Sequence, residues 1–344
     1  MDQPPLDNET EFIAFPTVLL DKHGEHLVTM VKSTWELPPG GDELELAPEE
    51  RQRGLRAGDL PWGLPGETST LLPMDFCVRK PGTDVVIAAR GFAPGGKPVE
   101  QFDVSARVGP LSKVLRVFGL RVWAADGSSI SDARPISELD LRYEYAWGGA
   151  QFDDAGNGVE EARNPLGRGV ALDPASLTHQ PAPQIEDPFN LISSIATKPQ
   201  PAGFGAIQRH WQPRRGYCGT YDDKWLDDRA PILPADEDDR VNHAATPGLV
   251  ADTPLVGNEE VALAGTLPGG AGVSFVLPRV GVEIEVRAKD RDPVVVRPHL
   301  DTVVIDQLMG PVVGQPVVEL VWRLALPSPR RMKDASIIVR EVAL

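Results

Sequence analysis

The sequence has little cysteine and no long apolar run. Cys77 and Cys218 are the only cysteines among its 344 residues, and neither has a second Cys or His at metal-binding spacing. This excludes a disulfide framework and is typical of a reducing compartment. No stretch approaches the roughly 20 apolar residues that cross a bilayer, and the first residues lack the pattern of a signal peptide. We therefore expect a cytoplasmic protein that does not contact a membrane.

Basic residues are also scarce. The chain has 34 Lys and Arg against 50 Asp and Glu, which gives a formal net charge of −16. Because nucleic-acid binding requires a basic cluster and the sequence has none, no nucleic-acid partner is expected. Most of the excess negative charge lies in residues 1–60 and 222–239. Two interpretations of these segments stay open, namely solvated surfaces that keep the protein soluble and a docking face for a basic partner.

Glycine and proline are abundant, with 33 and 34 residues. Because Gly adds backbone freedom and Pro removes a backbone donor, a mostly helical protein is excluded and many short strands are favoured. Apolar and polar residues alternate in residues 102–108, 139–145 and 282–288. This period of two indicates strands with one buried face. The sequence therefore predicts an all-β fold with two antiparallel β-sandwich or barrel-like regions, joined by a long, ordered, aromatic-rich loop region.

Three ranges of the chain differ in pattern. Residues 1–145 and 251–344 are rich in short strand candidates and are predicted to form N-terminal and C-terminal β domains, although a short helix or disordered loop competes with strand in residues 38–60. Residues 146–250 have few periodic runs, which is typical of functional or disordered loops. Ten aromatic residues, including all four tyrosines, lie in residues 143–225. Because disordered segments are poor in aromatics, we expect the central range to pack, ordered, on the β domains.

Most catalytic signatures are missing. The chain has no Gly-x-Ser-x-Gly elbow, no His-Glu-x-x-His pair and no Walker loop. His23 and His26 flank a turn without a third ligand nearby, so a solvated turn is favoured over a metal site. We expect no catalytic residue, no metal and no cofactor, and a protein that is not an enzyme.

One acidic stretch leaves a catalytic alternative open. The spacing of its carboxylates does not match a calcium-binding loop, and a glycosidase pair depends on separation in space. An ordered aromatic turn followed by an acidic surface loop is the favoured interpretation. The alternative is a carbohydrate-active or other carboxylate-dependent hydrolase that uses Asp222, Asp223, Asp227 and Asp228.

Two segments of the central range have the composition of binding motifs. In residues 164–169 (NPLGRG), backbone N–H groups and Arg168 could bind an anion, but a tight turn is favoured, with its Asn capping its own backbone and its Arg bound to a carboxylate. Phe204 lies between two glycines, and Trp211 and Arg214 are of the types enriched at interface hot spots. Buried aromatic anchors of a loop would give the same sequence, so both interpretations stay open.

Several short motifs follow one another along the chain. In order, they are VKSTW at 31–35, YEYAWGG at 143–149, NPLGRG at 164–169, PAGFGAI at 201–207, WQPR at 211–214, GTYDDKW at 219–225 and LVWR at 320–323. Their order resembles a bacterial family that was long known only as a domain of unknown function and is now associated with type VI secretion. The resemblance implies an adaptor or chaperone without enzymatic activity, which binds a PAAR-containing effector and helps load it onto the VgrG spike. A structural component of the secretion apparatus is a further alternative.

We expect residues of these motifs to build or support the partner-binding region. One departure from the family pattern is Glu237, which stands where the family usually has an aromatic residue. This favours charge over an apolar contact in partner choice at that position. The expected binding or supporting residues are Trp147, Asn164, Arg168, Phe204, Trp211, Arg214, Tyr221, Asp222 and Trp225.

Overall fold

The computed structural model describes residues 4–124, 129–289, 291–310, 312, 314–329 and 334–344. In chain order, the strands within these ranges are β1 Leu6–Asn8, β2 Ile13–Asp21, β3 Gly24–Glu36, β4 Glu45–Leu46, β5 Leu60–Pro61, β6 Thr70–Leu72, β7 Thr83–Ala88, β8 Arg90–Phe92, β9 Gln101–Val108, β10 Leu111–Phe118, β11 Glu138–Asp140, β12 Trp147–Gly148, β13 Ala150–Phe152, β14 Gly158–Glu160, β15 Arg168–Gly169, β16 Ile185–Glu186, β17 Val250–Ala251, β18 Glu260–Leu267, β19 Ala271–Val276, β20 Val280–Ala288, β21 Arg291–Val296, β22 Leu300–Asp306, β23 Val317–Pro327 and β24 Ala335–Ala343.

Helical structure in the same ranges is short. The α-helix, α1, covers Asp223–Asp228, and 3-10 turns make up the rest. None of the described helices has the length and apolar character needed to span a membrane. The 3-10 turns are Glu49–Arg51, Pro94–Gly96, Tyr143–Tyr145, Pro174–Leu177, Arg214–Tyr217, Asp239–Asn242 and Pro268–Gly270.

The largest sheet has seven strands, in the order β17-β7-β22-β23-β3-β2, with β4 paired to β3. Its central strands β3 and β23 are antiparallel, with Thr34 opposite Glu319, whereas β22 runs parallel to β7. Both faces of β23 are covered, because Val317–Leu324 is buried at every position. Such strands show continuous apolar runs in place of alternation.

Two further sheets complete the framework. The five-stranded sheet has the order β16-β10-β9-β18-β19, and the four-stranded sheet has the order β1-β24-β20-β21. Smaller two-stranded pairs are β5-β6, β8-β11, β12-β15 and β13-β14. The all-β class is therefore confirmed. Most pairings are antiparallel as expected, but β1-β24, β7-β22 and β12-β15 are parallel, and no sheet of the described chain closes into a barrel.

Strands from residues 1–145 and 251–344 share sheets. β18 is hydrogen-bonded to β9, β22 to β7 and β23 to β3. One hydrophobic core also joins the three large sheets, since it contains Val304, Val104 and Ile284. The two β-rich ranges are thus combined within common sheets and do not form separate ones.

The alternating segment 139–145 is a strand only in its first part. β11 ends at Asp140, and Tyr143–Tyr145 forms a 3-10 turn. The Tyr143 ring packs edge-on against Trp211 with a centroid distance of 5.6 Å, and its hydroxyl donates to Thr246 at 2.7 Å. The prediction of a strand through residue 145 is wrong because these tertiary contacts turn the backbone.

A buried ionic network holds the loop after β4 against the seven-stranded sheet. Lys32 on β3 lies 2.9 Å from the carboxylate of Glu319 on β23 and 3.0 Å from that of Asp75. Arg56 completes the group, at 2.7 Å from Glu319 and 3.1 Å from Asp75. The side chains of Lys32 and Glu319 are 0% exposed. Buried charges are tolerated when they are paired in this way.

The same network explains how residues 38–60 are ordered. They form the two-residue strand β4 and a 3-10 turn at Glu49–Arg51, and the chain then has no regular structure until β5 begins at Leu60. Arg53 reaches across to Asp306 at 2.7 Å and donates to the carbonyl of Met309 at 2.9 Å. Ion pairs to the sheet therefore replace regular hydrogen bonding as the source of order here.

Replacing Glu319 should destabilise the fold strongly. Glu319→Gln leaves the buried Lys32 ammonium with one carboxylate in place of two, and breaking a buried pair typically costs about 3–5 kcal/mol. The free energy of unfolding, measured by urea titration at pH 7, is expected to fall by that amount. Glu260→Gln is the matched control, because Glu260 pairs with Arg107 on the exposed surface and such pairs contribute about 1 kcal/mol or less. Equal losses in the two variants would contradict this.

Acid should remove part of the stability. Burial raises the pKa of Glu319, but Lys32 and Arg56 outweigh it and lower this pKa from 4.5 to about 2. A carboxylate with a depressed folded-state pKa stabilises fully above its unfolded pKa, and the contribution disappears as the pH falls through the folded pKa. We expect about 3 kcal/mol to be lost between about pH 4.5 and pH 2.

The measurement is urea unfolding at a series of pH values, followed by circular dichroism. Glu319→Gln lacks the titrating group and should show a shallower pH dependence in this window. The assignment fails if the wild type and the variant have the same dependence.

Candidate functional site

A cleft of about 880 Å³ lies at the edge of the seven-stranded sheet. Lys22, from the turn between β2 and β3, forms part of its wall, and Val250 on β17 forms another part. The 3-10 turn Arg214–Tyr217 and residues 235–240 contribute half of the remaining lining residues. This volume is in the range of protein pockets that bind small molecules.

His243 and Asp84 form a hydrogen-bonded pair beside the cleft. His243 lines the cleft, and its Nδ1 lies 2.7 Å from Asp84 Oδ1. Asp84 Oδ2 accepts hydrogen bonds of 2.7 Å from the Lys80 ammonium and from the Ala244 N–H. Burial raises the pKa of Asp84, but Lys80 and His243 outweigh it and hold this pKa well below its usual range. Because the ionised carboxylate only accepts, His243 Nδ1 carries the proton that it donates.

Arg214 is a buried cation in the wall of the cleft. Its side chain donates from Nε to the carbonyl of Val241 at 2.9 Å and from Nη1 to the carbonyl of Ile207 at 2.7 Å. Burial lowers the pKa of this guanidinium. Arg214 therefore joins two loop segments, and most of its side chain is removed from water.

Four consecutive acids, residues 236–239, form an acidic edge of the cleft. Burial raises the pKa of Glu237. Its carboxylate lies 3.4 Å from Arg209, and its backbone carbonyl accepts a 2.8 Å hydrogen bond from the Lys22 ammonium. Asp238 accepts hydrogen bonds from Arg240, which lower its pKa to about 2. The edge thus combines the exposed Asp236 and the paired Asp238 with the buried Glu237.

The short helix α1 carries an exposed apolar patch next to this edge. Its capping residue Asp222 accepts a 2.8 Å hydrogen bond from the Trp225 N–H. The rings of Tyr221 and Trp225 pack with a centroid distance of 4.6 Å. Tyr221 is 52% exposed and Leu226 61% exposed. We call Tyr221, Trp225 and Leu226 the helix patch.

The helix patch is tied to the acidic edge through Thr220. Asp236 accepts a 3.0 Å hydrogen bond from the Thr220 N–H and a 2.7 Å hydrogen bond from its hydroxyl. On the other side of α1, Trp225 donates to the carbonyl of Ile232 at 2.8 Å. The cleft and the helix patch are therefore neighbouring parts of one surface.

The motif at residues 164–169 has a structural role that differs from the expected one. Asn164 is buried, and its side chain donates to the carbonyls of Tyr143 and Trp147 at 2.9 and 3.0 Å. It therefore joins two segments, whereas the prediction had it capping its own turn. Gly148 adopts φ 150°, and a Cβ there would lie 2.2 Å from the Asn164 carbonyl, so this close approach requires glycine.

The expected ion pair between Arg168 and a carboxylate is not found among the described residues. Arg168 donates to the side-chain oxygen of Gln184 at 2.9 Å and lies 4.7 Å from the Tyr145 ring centroid. The stacking of a guanidinium on an aromatic ring and a neutral hydrogen bond thus take the place of an ion pair. Arg168 is not among the lining residues of the cleft.

The structure separates the predicted residues into two groups. Phe204 and Trp211 are fully buried in the main core, and Trp147 is buried in a second cluster with Trp123. These aromatics are loop anchors and have no free surface for a partner. Arg214, Tyr221, Asp222 and Trp225 lie at the cleft or in its neighbouring helix.

The carboxylates of the hydrolase alternative lie in solvent. All four are exposed, and Asp222 serves as the cap of α1. Deep burial of one acid, which would favour a general-acid role, is therefore not found among them. The four are Asp222, Asp223, Asp227 and Asp228.

The two histidines at the β2–β3 turn are separated by burial. His23 is exposed, whereas His26 is buried, with Nδ1 3.4 Å from Asp21 and Nε2 3.1 Å from Arg79. Within the described ranges, no three His, Cys, Asp or Glu side chains are grouped so that they could hold a metal ion.

Sequence reasoning missed the Asp84–His243 pair and one exposed aromatic. Asp84 and His243 are 159 positions apart, so local spacing carries no signal for their contact. Phe189 is 89% exposed, and its only signal in the sequence is its position in the aromatic-rich central range. Phe189 lines a smaller depression, of about 320 Å³, together with Lys113 and Pro247.

Comparison with known proteins gives one match. No curated protein and no solved structure matches the chain. A family model matches residues 22–323 and is described as an uncharacterized protein conserved in bacteria. That range includes every residue that lines the cleft and the whole helix patch. The chain therefore belongs to this bacterial family, the domain of unknown function DUF2169.

Proposed function

We propose that this protein is a non-enzymatic adaptor that binds a polypeptide partner along the cleft and the helix patch. The observation that carries the proposal is their continuity: a cleft of about 880 Å³ with charged walls adjoins the exposed side chains of Leu226 on α1 and of Tyr221 just before it. Protein interfaces combine such apolar anchors with a polar rim. Small-molecule sites enclose most of the ligand, whereas this cleft is open to solvent, so it fits a small molecule less well.

The side-chain types in the helix patch also support protein binding. Tyr and Trp are enriched at interface hot spots because a rigid ring gives a large contact area at a low entropic cost. Tyr221 and Trp225 already pack on each other in the free protein. A partner that covers them therefore does not have to order them.

Within the resemblance described above, the partner is a PAAR-containing effector, which the adaptor would deliver to the VgrG spike in the cytoplasm. An effector surface that is later buried in the spike is prone to aggregation while it is exposed. An adaptor that binds this surface stabilises the soluble form by mass action until the spike replaces it. The alternative role as a structural component of the apparatus predicts instead that the protein leaves the cell with the spike.

Substitution of the helix patch should weaken partner binding. Leu226→Ala removes an exposed side chain whose burial against a partner contributes about 1.5–3 kcal/mol, so affinity for a co-expressed PAAR protein should fall by about tenfold or more. Leu64→Ala is the matched control, because Leu64 is 64% exposed against 61% for Leu226 and does not line the cleft. The measurement is co-purification, followed by titration of the isolated pair.

Circular dichroism and thermal unfolding should show both variants folded as the wild type. The proposal is overturned if the PAAR protein is not retained by wild-type protein, or if Leu226→Ala and Leu64→Ala retain it equally.

A further inference from the structure

Arg214 differs from the other deeply buried arginines of the described chain. Arg121, Arg214 and Arg323 are 7%, 6% and 8% exposed. Arg121 forms an ion pair with Glu186, and Arg323 forms one with Asp301. Arg214 donates only to two backbone carbonyls, and no carboxylate of the described residues lies within 4.0 Å of it. A buried charge without a counter-ion is costly, which makes Arg214 the exception that needs an explanation.

Arg214 has one unused hydrogen-bond donor group, and Arg214 lines the cleft. Its Nη2 has no hydrogen-bond partner in the described chain, and this atom is accessible to solvent. The same holds for His243 Nε2, since His243 bonds Asp84 through Nδ1. Both residues line the cleft, and Arg214 holds the carbonyl of Val241, two positions before His243. The wall therefore presents one free donor, Arg214 Nη2, and one free acceptor, Nε2 of the neutral His243 imidazole.

We propose that Arg214 binds the carboxylate group of a polypeptide, that His243 Nε2 accepts a hydrogen bond from a backbone N–H of the same segment, and that basic side chains next to this carboxylate contact the acidic edge at residues 236–239. This inference rests on the proposed function, because it names the chemistry of the segment that enters the cleft. A planar carboxylate matches the guanidinium fork of Arg214. The natural source is a chain terminus, since the cleft is open enough to admit an extended segment end-on.

The charges of the cleft favour this combination over a simple anion. Its described lining holds the carboxylates of residues 236–239 and Asp252 and the basic side chains of Lys22, Arg214 and Arg240. A dianion such as phosphate would meet this excess of negative charge on its way to Arg214. A segment with one terminal carboxylate and flanking lysines is attracted by the edge and neutralises Arg214 at the same time.

The test compares three probe peptides on the purified full-length protein by isothermal titration calorimetry at low salt. The first is N-acetyl-Lys-Lys-Gly-Gly-Leu with a free carboxyl terminus. The second is the same peptide with a terminal carboxamide, and the third has Glu in place of both Lys. Hydrogen bonds to charged groups contribute enough that the free acid should bind at least about tenfold more tightly than the amide. The Glu peptide should bind more weakly than the Lys peptide.

Two neighbouring arginines provide a matched pair of variants. Arg214→Met should abolish the preference for the acid over the amide. Arg215→Met should keep it, because Arg215 belongs to the same 3-10 turn but is exposed and does not line the cleft. The acid-to-amide ratio on wild-type protein tests the proposal even if Arg214→Met fails to fold.

Three results would overturn the inference. The first is equal binding of the acid and the amide to wild-type protein, and the second is an acid preference that survives in a folded Arg214→Met variant. The third is displacement of the bound peptide by sodium acetate at the concentration at which the free peptide acid displaces it. That result would indicate a site for small carboxylates. The adaptor function has a separate test, since co-purification of a PAAR protein through Leu226 does not depend on these titrations.

Discussion

The requirement that buried charges be paired governs much of this fold. Lys32 and Glu319 lie on adjacent strands at the centre of the seven-stranded sheet, and both side chains are removed from water. Such a pair is stable only when further polar groups satisfy it. Arg56 and Asp75 provide these groups, so the irregular segment that carries them has to fold against the sheet. The ion pairs thereby order a part of the chain that has few apolar residues.

A continuous series of hydrogen bonds between buried polar groups links this ionic network to the cleft. Arg323 donates to the Asp75 carbonyl at 2.6 Å, and each following contact is a hydrogen bond between buried groups. The cleft wall at His243 is therefore fixed by the network that also holds the sheet. In order, the series consists of Asp75, Arg323, Asp301, Thr302, Lys80, Asp84 and His243.

Local pattern predicted the strands well and their partners poorly. The alternation in residues 102–108 became β9 almost residue for residue, because side-chain period depends only on near neighbours. The pairing of β9 with β18 joins residues more than 150 positions apart, and no local period encodes it. Likewise, motif composition located Tyr221 and Trp225, whereas the burial of Lys32 depends on which strands flank it. The sheets therefore mix ranges that composition had separated.

The motifs in residues 201–214 include both buried loop anchors and a residue at the candidate binding surface. Composition alone did not decide between these two roles. Phe204 and Trp211 are anchors inside the core, so their rings fix the loops that carry them. The segment between these two anchors supplies the Ile207 carbonyl, and the 3-10 turn Asp239–Asn242 supplies the Val241 carbonyl. These two carbonyls hold the Arg214 side chain. Because both bonds go to backbone, the orientation of the guanidinium is set without neutralising its charge. The buried aromatic rings thus fix the backbone that orients Arg214, and the guanidinium keeps its charge for a ligand. This arrangement fits a rigid site for a carboxylate from outside the chain.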